Sequence, residues 1–451
     1  MLKVKCIQKF RDKNNNIIGY RIIDQNGNTK DVSSEPLKQV IKQGKLEVIN
    51  LNLTSDNRLI DKGITQTPTQ QTQKPIKQSS QETIDIDKML LRLKLLGCAT
   101  EINEDCDHKI YLIKISEEDY RLLIPDDVTE IEFDYDSDCD ESTPISRIPI
   151  ESSNAKLTVY GGNNLRIAAG LFTGTKFRVI DLRKFNTSSI TDMQYMFSEC
   201  QATSLDLSSF DTSKAKNMQC MFYRCKADSL DLSSFDTSKV INMSSMFNAC
   251  EVTSLDLSKF NTSRVTDMSS MFNECQVASL DLSNFDTSSV TNMSAMFTGC
   301  KVDSLDLSSF DTSNVTDMSI MFIECTANSI DLSSFDTSNV IDMYSMFSGC
   351  KATSLDLSSF DTRNVRDMSW MFSECQATSL DLSSFNTSKV TDMSCMFYGC
   401  QATSIDLSNF DTSKVRDMSE IFLNCKATSI NFGGNKDLES AWYNRFEFWG
   451  D

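Results

Sequence analysis

The chain has 451 residues, a formal net charge of −19 and a pI near 4.6. That acidity argues against nucleic acid as the main partner, because phosphate binding needs a basic footprint. No run approaches the ~18 apolar residues of a membrane helix. The charged start MLKVKCIQKF has no apolar stretch of the signal-peptide kind. The expectation is a cytoplasmic protein of two or three domains.

Residues 1–53 read as a small α+β domain. KVKCIQKF and IIGYRII are strand-like around the turn RDKNNN, and KLEVINLNL alternates as a further strand. SSEPLKQVIKQG carries helix punctuation, with a serine cap, proline in the first turn and Gly44 past the end. Lys3, Lys5, Lys9 and Arg11 make this part basic, against an acidic stretch at 117–141. Residues 54–84 are Gln, Thr, Lys and Pro, a linker with nothing to form a core. Residues 85–175 read as an α+β segment ending in an N-terminal cap. It holds a predicted amphipathic helix, IDKMLLRLKLLG, then strand-like KIYLIKI and YRLLI. LTVYGGNNLRIAAGLF leads into a repeated region.

From there to residue 432 the chain repeats every 25 residues without insertion, as in SLDLSSFDTSKVINMSSMFNAC at 229–250. A fixed period of this length marks a solenoid. Leu205 and Leu207 alternate with Ser204, Asp206 and Ser208, a short strand with its leucines inward. Phe210 comes next, then Asp211-Thr212 as turn chemistry, and Val240 and its equivalents return inside, Ala215 being the small exception. Asp or Asn recurs at each equivalent of Asp192. Both are helix N-caps. Met243, Met246 and Phe247 then fall at i, i+3 and i+4, predicting one face of a short helix. Each coil is thus expected to be a strand plus a short helical turn, and about ten of them at ~4.8 Å make a rod of roughly 50 Å.

Sixteen cysteines are present, and ten form one ladder: Cys200, Cys225, Cys250, Cys275, Cys300, Cys325, Cys350, Cys375, Cys400 and Cys425. They read as small buried hydrophobes, with disulfides between rungs or metal as alternatives. The aspartates from Asp181 to Asp406 form a second ladder whose like charges would repel across neighbouring strands. Bonds from flanking hydroxyls or turn amides are expected to offset this; a cation-binding stripe is the alternative.

The coil LDLSSFDTSNVTDMSIMFIEC resembles the repeat of the BspA-like leucine-rich-repeat bacterial proteins, in the 25-residue form found in mycoplasma lipoproteins. The resemblance covers about residues 155–432. It implies a leucine-rich-repeat-like solenoid used for binding, often as a surface adhesin, and makes the cell surface the alternative location. The fold class expected is α+β, the solenoid occupying 176–432 with a C-terminal cap at 433–451.

Fixed positions hold such a stack together, and variable ones choose a partner. Tyr195, Tyr223, Ile320, Ile323, Tyr344, Trp370 and Tyr398 occupy variable positions and would form a broken apolar stripe for a protein partner. Trp442 and Trp449 sit in the tail, where they would close the last rung or project as a docking peptide. The single histidine, His108, with Cys98 and Cys106 makes only a thin catalytic or metal candidate. No phosphate-binding glycine loop or nucleophile motif occurs. The function expected is a monomeric, non-enzymatic scaffold for protein–protein binding. It would have no cofactor, no metal, no nucleic acid on the repeats and no membrane insertion. A surface adhesin or a structural part of a phage or envelope assembly is the alternative.

Overall fold

The computed structural model describes residues 154–445 continuously, together with residue 128 and the strand residues 2–11, 17–24, 29–33, 46–48, 99–101, 111–114, 119–124 and 130–132. The two helices expected in 1–53 and 85–175, the linker, His108 with Cys98 and Cys106, and Trp449 lie outside the described residues. The chain divides into two compact units, residues 1–126 with 155–161, and residues 127–154 with 162–451.

In the first unit, β1 (Leu2–Arg11) pairs antiparallel with β2 (Ile17–Asp24), which pairs with β3 (Thr29–Ser33). β4 (Leu46–Val48) adds parallel to the other side of β1. β5 (Ala99–Glu101), β6 (Tyr111–Lys114) and β7 (Asp119–Ile124) pair antiparallel in that order, and β9 (Lys156–Gly161) joins β7 in parallel. In the second unit, β8 (Glu130–Glu132) lies parallel to β10 (Ile167–Ala169) at the start of the solenoid.

The solenoid has a strict 25-residue pitch. Ten parallel bridges join eleven rungs, from Ile167 through Asp192 to Asp417. On another face run short strands: β11 (Val179–Phe185), β12 (Ser204–Asp206), β13 (Ser304–Asp306), β14 (Ser329–Asp331), β15 (Ser379–Asp381), β16 (Ser404–Asp406) and β17 (Ser429–Asn431). Register is residue on equivalent residue, as in Leu305 opposite Ile330 and Asp306 opposite Asp331. One coil shows why. Leu230, Leu232, Phe235, Val240, Met243, Met246, Phe247 and Cys250 are all buried. No single coil can cover that much apolar surface, so only stacking makes a core. Like meets like, and Phe247 stacks on Phe222 and on Phe272 at 5.8 and 6.0 Å with nearly parallel rings.

The short helix expected in each coil is absent, and the solenoid is a β-solenoid. Met246 and Cys250 amides donate three residues back, to Met243 and Phe247 carbonyls, both at 3.2 Å. The alternate amides leave the coil. Met243, Ser245, Phe247 and Ala249 donate to the next coil's Asp267, Ser269, Met271 and Asn273 carbonyls at 2.7–3.1 Å. A helix needs those amides for its own i−4 carbonyls. The backbone is also left-handed at Ser245 and Ala249, with φ of 54° and 51°. The i, i+3, i+4 spacing of Met243, Met246 and Phe247 still buries one face, because a three-residue turn returns side chains to the same side. The only α-helix of the described solenoid unit is α1 (Lys436–Tyr443), capped by Asn435.

Candidate functional site

Three carboxylate or carboxamide ladders shape the corners of every coil. In the coil at 229–253, Asp231, Asp236 and Asn242 each accept the amide two residues on, from Ser233, Ser238 and Ser244, at 2.8–3.0 Å. These are Asx turns. The Asp192-type residues therefore do the local chemistry of a cap without a helix behind them. In the outer ladder, the serine hydroxyl and amide hold the carboxyls of Asp231, Asp256, Asp281, Asp306, Asp356, Asp381 and Asp406 below the usual carboxylate range. That is the offset to like-charge repulsion that the sequence calls for. Among the described residues no cluster of three or more His, Cys, Asp or Glu is placed to hold a metal ion.

Inside, the ladder cysteines from Cys200 to Cys425 are all buried and free. Burial raises the thiols from Cys250 to Cys425, pushing Cys350 and Cys400 up to about 12. A threonine spine fixes the turn between strand and return. Thr212, Thr262, Thr312 and Thr362 are buried, each donating to the carbonyl of the next coil's Asp or Asn at 2.9–3.0 Å.

The variable positions lie on the left-handed turns. Tyr195, Cys220, Ser245, Ser270, Ala295, Ile320, Ser345, Trp370, Cys395 and Glu420 all have φ between 53° and 60°. A β-branched or bulky side chain is rare in that conformation, yet Ile320 (53°) and Trp370 (60°) occupy it.

The seven stripe residues do not form one surface. Tyr195 and Tyr223 are half-buried near the start of the solenoid, with the Arg224 guanidinium 5.0 Å from the Tyr223 ring. Cys220, Ser245, Ser270 and Ala295 then separate Tyr195 from Ile320, five rungs or roughly 24 Å along the axis. The second group is contiguous in rungs. The Ile320 amide donates to the Tyr344 carbonyl at 2.7 Å, and the Trp370 and Tyr398 rings lie 5.8 Å apart. Tyr344 is 41% exposed and Trp370 37%. Ile341, 46% exposed, adds to this patch from three residues before Tyr344. Sequence reasoning missed it, although its position holds Thr, Lys or Arg in every other coil except that of Ile241.

A second concavity of about 740 Å³ lies along the early coils, lined by Glu199, Gln201, Arg224, Lys226, Ala249, Glu251, Glu274 and Gln276. Arg224 pairs with Glu199 at 3.7 Å and Lys226 with Glu251 at 3.4 Å. Such exposed pairs contribute little to stability, and the groove offers neither a nucleophile nor a paired acid and base.

A family profile described as "Mycoplasma protein of unknown function, DUF285" matches the chain three times, over residues 150–260, 242–357 and 326–435. The chain belongs to this family. The matched span is the solenoid, so DUF285 here denotes a 25-residue β-coil stacked in register. No curated protein and no solved structure matches the chain.

Proposed function

We propose that this DUF285 protein is a non-enzymatic repeat scaffold that binds a protein partner through the patch of Ile320, Ile323, Ile341, Tyr344, Trp370 and Tyr398. The observation that carries this reading is Trp370. A tryptophan stands exposed on a left-handed backbone position where the equivalent residues in neighbouring coils are Ser345 and Cys395. Stacking gives no reason to prefer Trp over Ser there, whereas a partner interface does, since Trp and Tyr are enriched in binding hot spots. The regular coils supply a rigid support, and the variable side chains supply the choice of partner.

The likeness of the coil to BspA-like leucine-rich repeats supports an adhesive use of the same surface. The free thiol ladder supports a reducing compartment instead, and we favour the cytoplasm. Trp370→Ser with Tyr344→Ser tests the binding reading, because each change installs a serine that other coils already carry at that position. The expected outcome is an unfolding midpoint at or above that of the parent, with loss of a discrete cross-linked partner in cells. An unchanged set of cross-linked proteins overturns the assignment of the patch.

A further inference from the structure

We propose that the partner docked on the apolar patch is basic: a segment of a protein whose cationic side chains engage both the exposed aromatic rings and a run of aspartates beside them. The inference rests on the patch being a docking surface and adds the chemistry of its occupant.

The turn ladder changes character along the rod. From Asp192 through Asn217, Asn242 and Asp267 to Asn292, no two carboxylates stand on neighbouring rungs. After that every rung carries one: Asp317, Asp342, Asp367, Asp392 and Asp417 are bridged in register, over about 19 Å at the usual strand spacing. The local turn does not require the charge. Asn217, Asn242 and Asn292 accept the same amide, two residues on, at 2.8–3.1 Å. Like charges on neighbouring strands repel, so stacking alone favours asparagine. The run begins in the coil that carries Ile320, the first residue of the patch.

Charge and patch meet at Asp342. In the flanking coils the Ser319 and Ser369 hydroxyls donate to Asp317 and Asp367 at 2.7 and 2.6 Å, beside the amides of the same serines. Tyr344 stands in place of that serine, and among the described residues Asp342 accepts only the Tyr344 amide, at 2.9 Å. Burial first, and then the charges of Asp367 and Asp317, raise the Asp342 carboxyl above its ordinary value. An exposed ring has replaced a hydroxyl donor beside a carboxylate with a like charge on each side.

The chain supplies little counter-charge here. Arg366 and Arg416 adjoin Asp367 and Asp417 in sequence, and Glu420 adds a further carboxylate. The corner held by Lys214, Lys239 and Arg264 in earlier coils is Asn314, Asn339 and Asn364 in the patch coils, before Lys389 and Lys414. Lys301 and Lys351 stand at the cysteine corner, which also holds Glu324 and Glu374. Elsewhere rings carry their own cation: the Arg224 guanidinium lies 5.0 Å from the Tyr223 ring and that of Arg445 3.5 Å from the Trp442 ring. Tyr344 and Trp370 have no cation over the ring among the described residues. A partner's arginine supplies both missing interactions, because a planar guanidinium stacks on aromatic faces and pairs with carboxylates. Apolar side chains between the arginines would meet Ile320, Ile323 and Ile341. Complementary charge then selects the partner.

The test uses the full chain and a fluorescent, amidated Arg-Leu-Arg-Leu-Arg-Leu peptide, followed by anisotropy. Asp317→Asn, Asp342→Asn, Asp367→Asn and Asp392→Asn together should weaken binding at least ~tenfold, since complementary charge is lost at the site. Asparagine already serves this turn in other coils, so the variant should fold. Asp306→Asn, Asp331→Asn, Asp356→Asn and Asp381→Asn remove the same charge from the outer ladder and should change binding by less than about twofold, distant exposed charges being screened. Equal weakening in both variants, or no binding to the unaltered chain, overturns the proposal. In cells the turn-ladder variant should lose the same cross-linked partner as Trp370→Ser with Tyr344→Ser. If the aromatic variant loses that partner and the turn-ladder variant keeps it, the docking surface stands and its basic occupant falls; if neither loses it, the patch itself falls. Sequencing the cross-linked segment needs no variant. An excess of arginine and lysine is expected, and a neutral or acidic segment, or one from a second copy of this chain, overturns the proposal.

Discussion

Thr237 and Asn261 hold each other across two coils: the Thr237 hydroxyl donates to the Asn261 carbonyl at 2.9 Å and accepts the Asn261 amide at 2.7 Å. One buried hydroxyl thus satisfies both backbone polar groups of one residue in the next rung. The same reciprocal pair links Thr212 with Asp236 and Thr337 with Asp361. At the last coil Thr412 turns instead to Asn435 and Asp437 of the terminal helix.

Thr237→Val keeps the shape and removes the hydroxyl, stranding a buried amide and carbonyl. It should cost about 1–3 kcal/mol, the penalty for leaving such groups unpaired. Urea unfolding measures it. Thr237→Ser, which retains the hydroxyl, should recover most of the loss, and equal losses for both would show that the methyl and not the hydrogen bond matters.

Glu324 sits at φ 50°, where the equivalents in flanking coils are Gly299 and Gly349. Glu324→Gly should stabilise the solenoid by about 0.5–1 kcal/mol, because a left-handed conformation costs an L-residue roughly 1–2 kcal/mol that glycine does not incur. Glu324→Val should destabilise it, β-branching being least tolerated there. Thermal melts of both variants give the sign.

Acid should weaken the rod through the outer aspartates. Their folded pKa values lie below the usual range because serine groups favour the charged form. Their stabilisation is therefore complete above the unfolded value of ~3.9 and is lost as pH falls through the lower folded values. Asp306→Asn keeps an acceptor for the Ser308 amide, as Asn431 does for Gly433 at 3.2 Å, but cannot titrate. The variant should show a smaller loss as pH falls below about 4, the unfolded carboxylate value.

Alkali acts in the opposite sense through the thiols. Burial raises the ladder cysteines from Cys250 to Cys425, Cys350 and Cys400 to about 12. Above the unfolded thiol value of ~8.5 the unfolded chain ionises while the folded one does not, so stability should fall as pH climbs further. At neutral pH the ten ladder thiols should resist alkylation until denaturant is added. Rapid labelling of the folded chain would contradict the packing.

Stacking in register makes the rod tolerant of whole coils and intolerant of single residues. Deleting residues 276–300, one whole coil, should leave a folded rod with a smaller denaturant dependence, since each rung contacts only its neighbours. Deleting Ser288 alone should be far more disruptive, because one missing residue displaces the Phe, Met and Cys positions of that coil from their ladders. Circular dichroism and urea titration separate the two outcomes.

The 25-residue period alone determined that the chain stacks, and the two-residue alternation of Leu205 and Leu207 determined which side of the strand faces in. The inward set of Val240, Met243, Met246, Phe247 and Cys250 was equally legible, because apolar identity fixed in every copy has no other explanation than a shared core. Ser, Asp and Asn at the corners announced turn chemistry. Sequence reasoning went wrong at the turn behind Asn242. The spacing i, i+3, i+4 fits a helix and a pair of three-residue turns alike, and only a neighbouring coil, by taking alternate amides, decides between them. The same limit applies to the surface. Tyr195 and Trp370 share a repeat position, but their separation along the rod, and the grouping of Trp370 with Tyr398, Tyr344 and Ile341, arise from stacking.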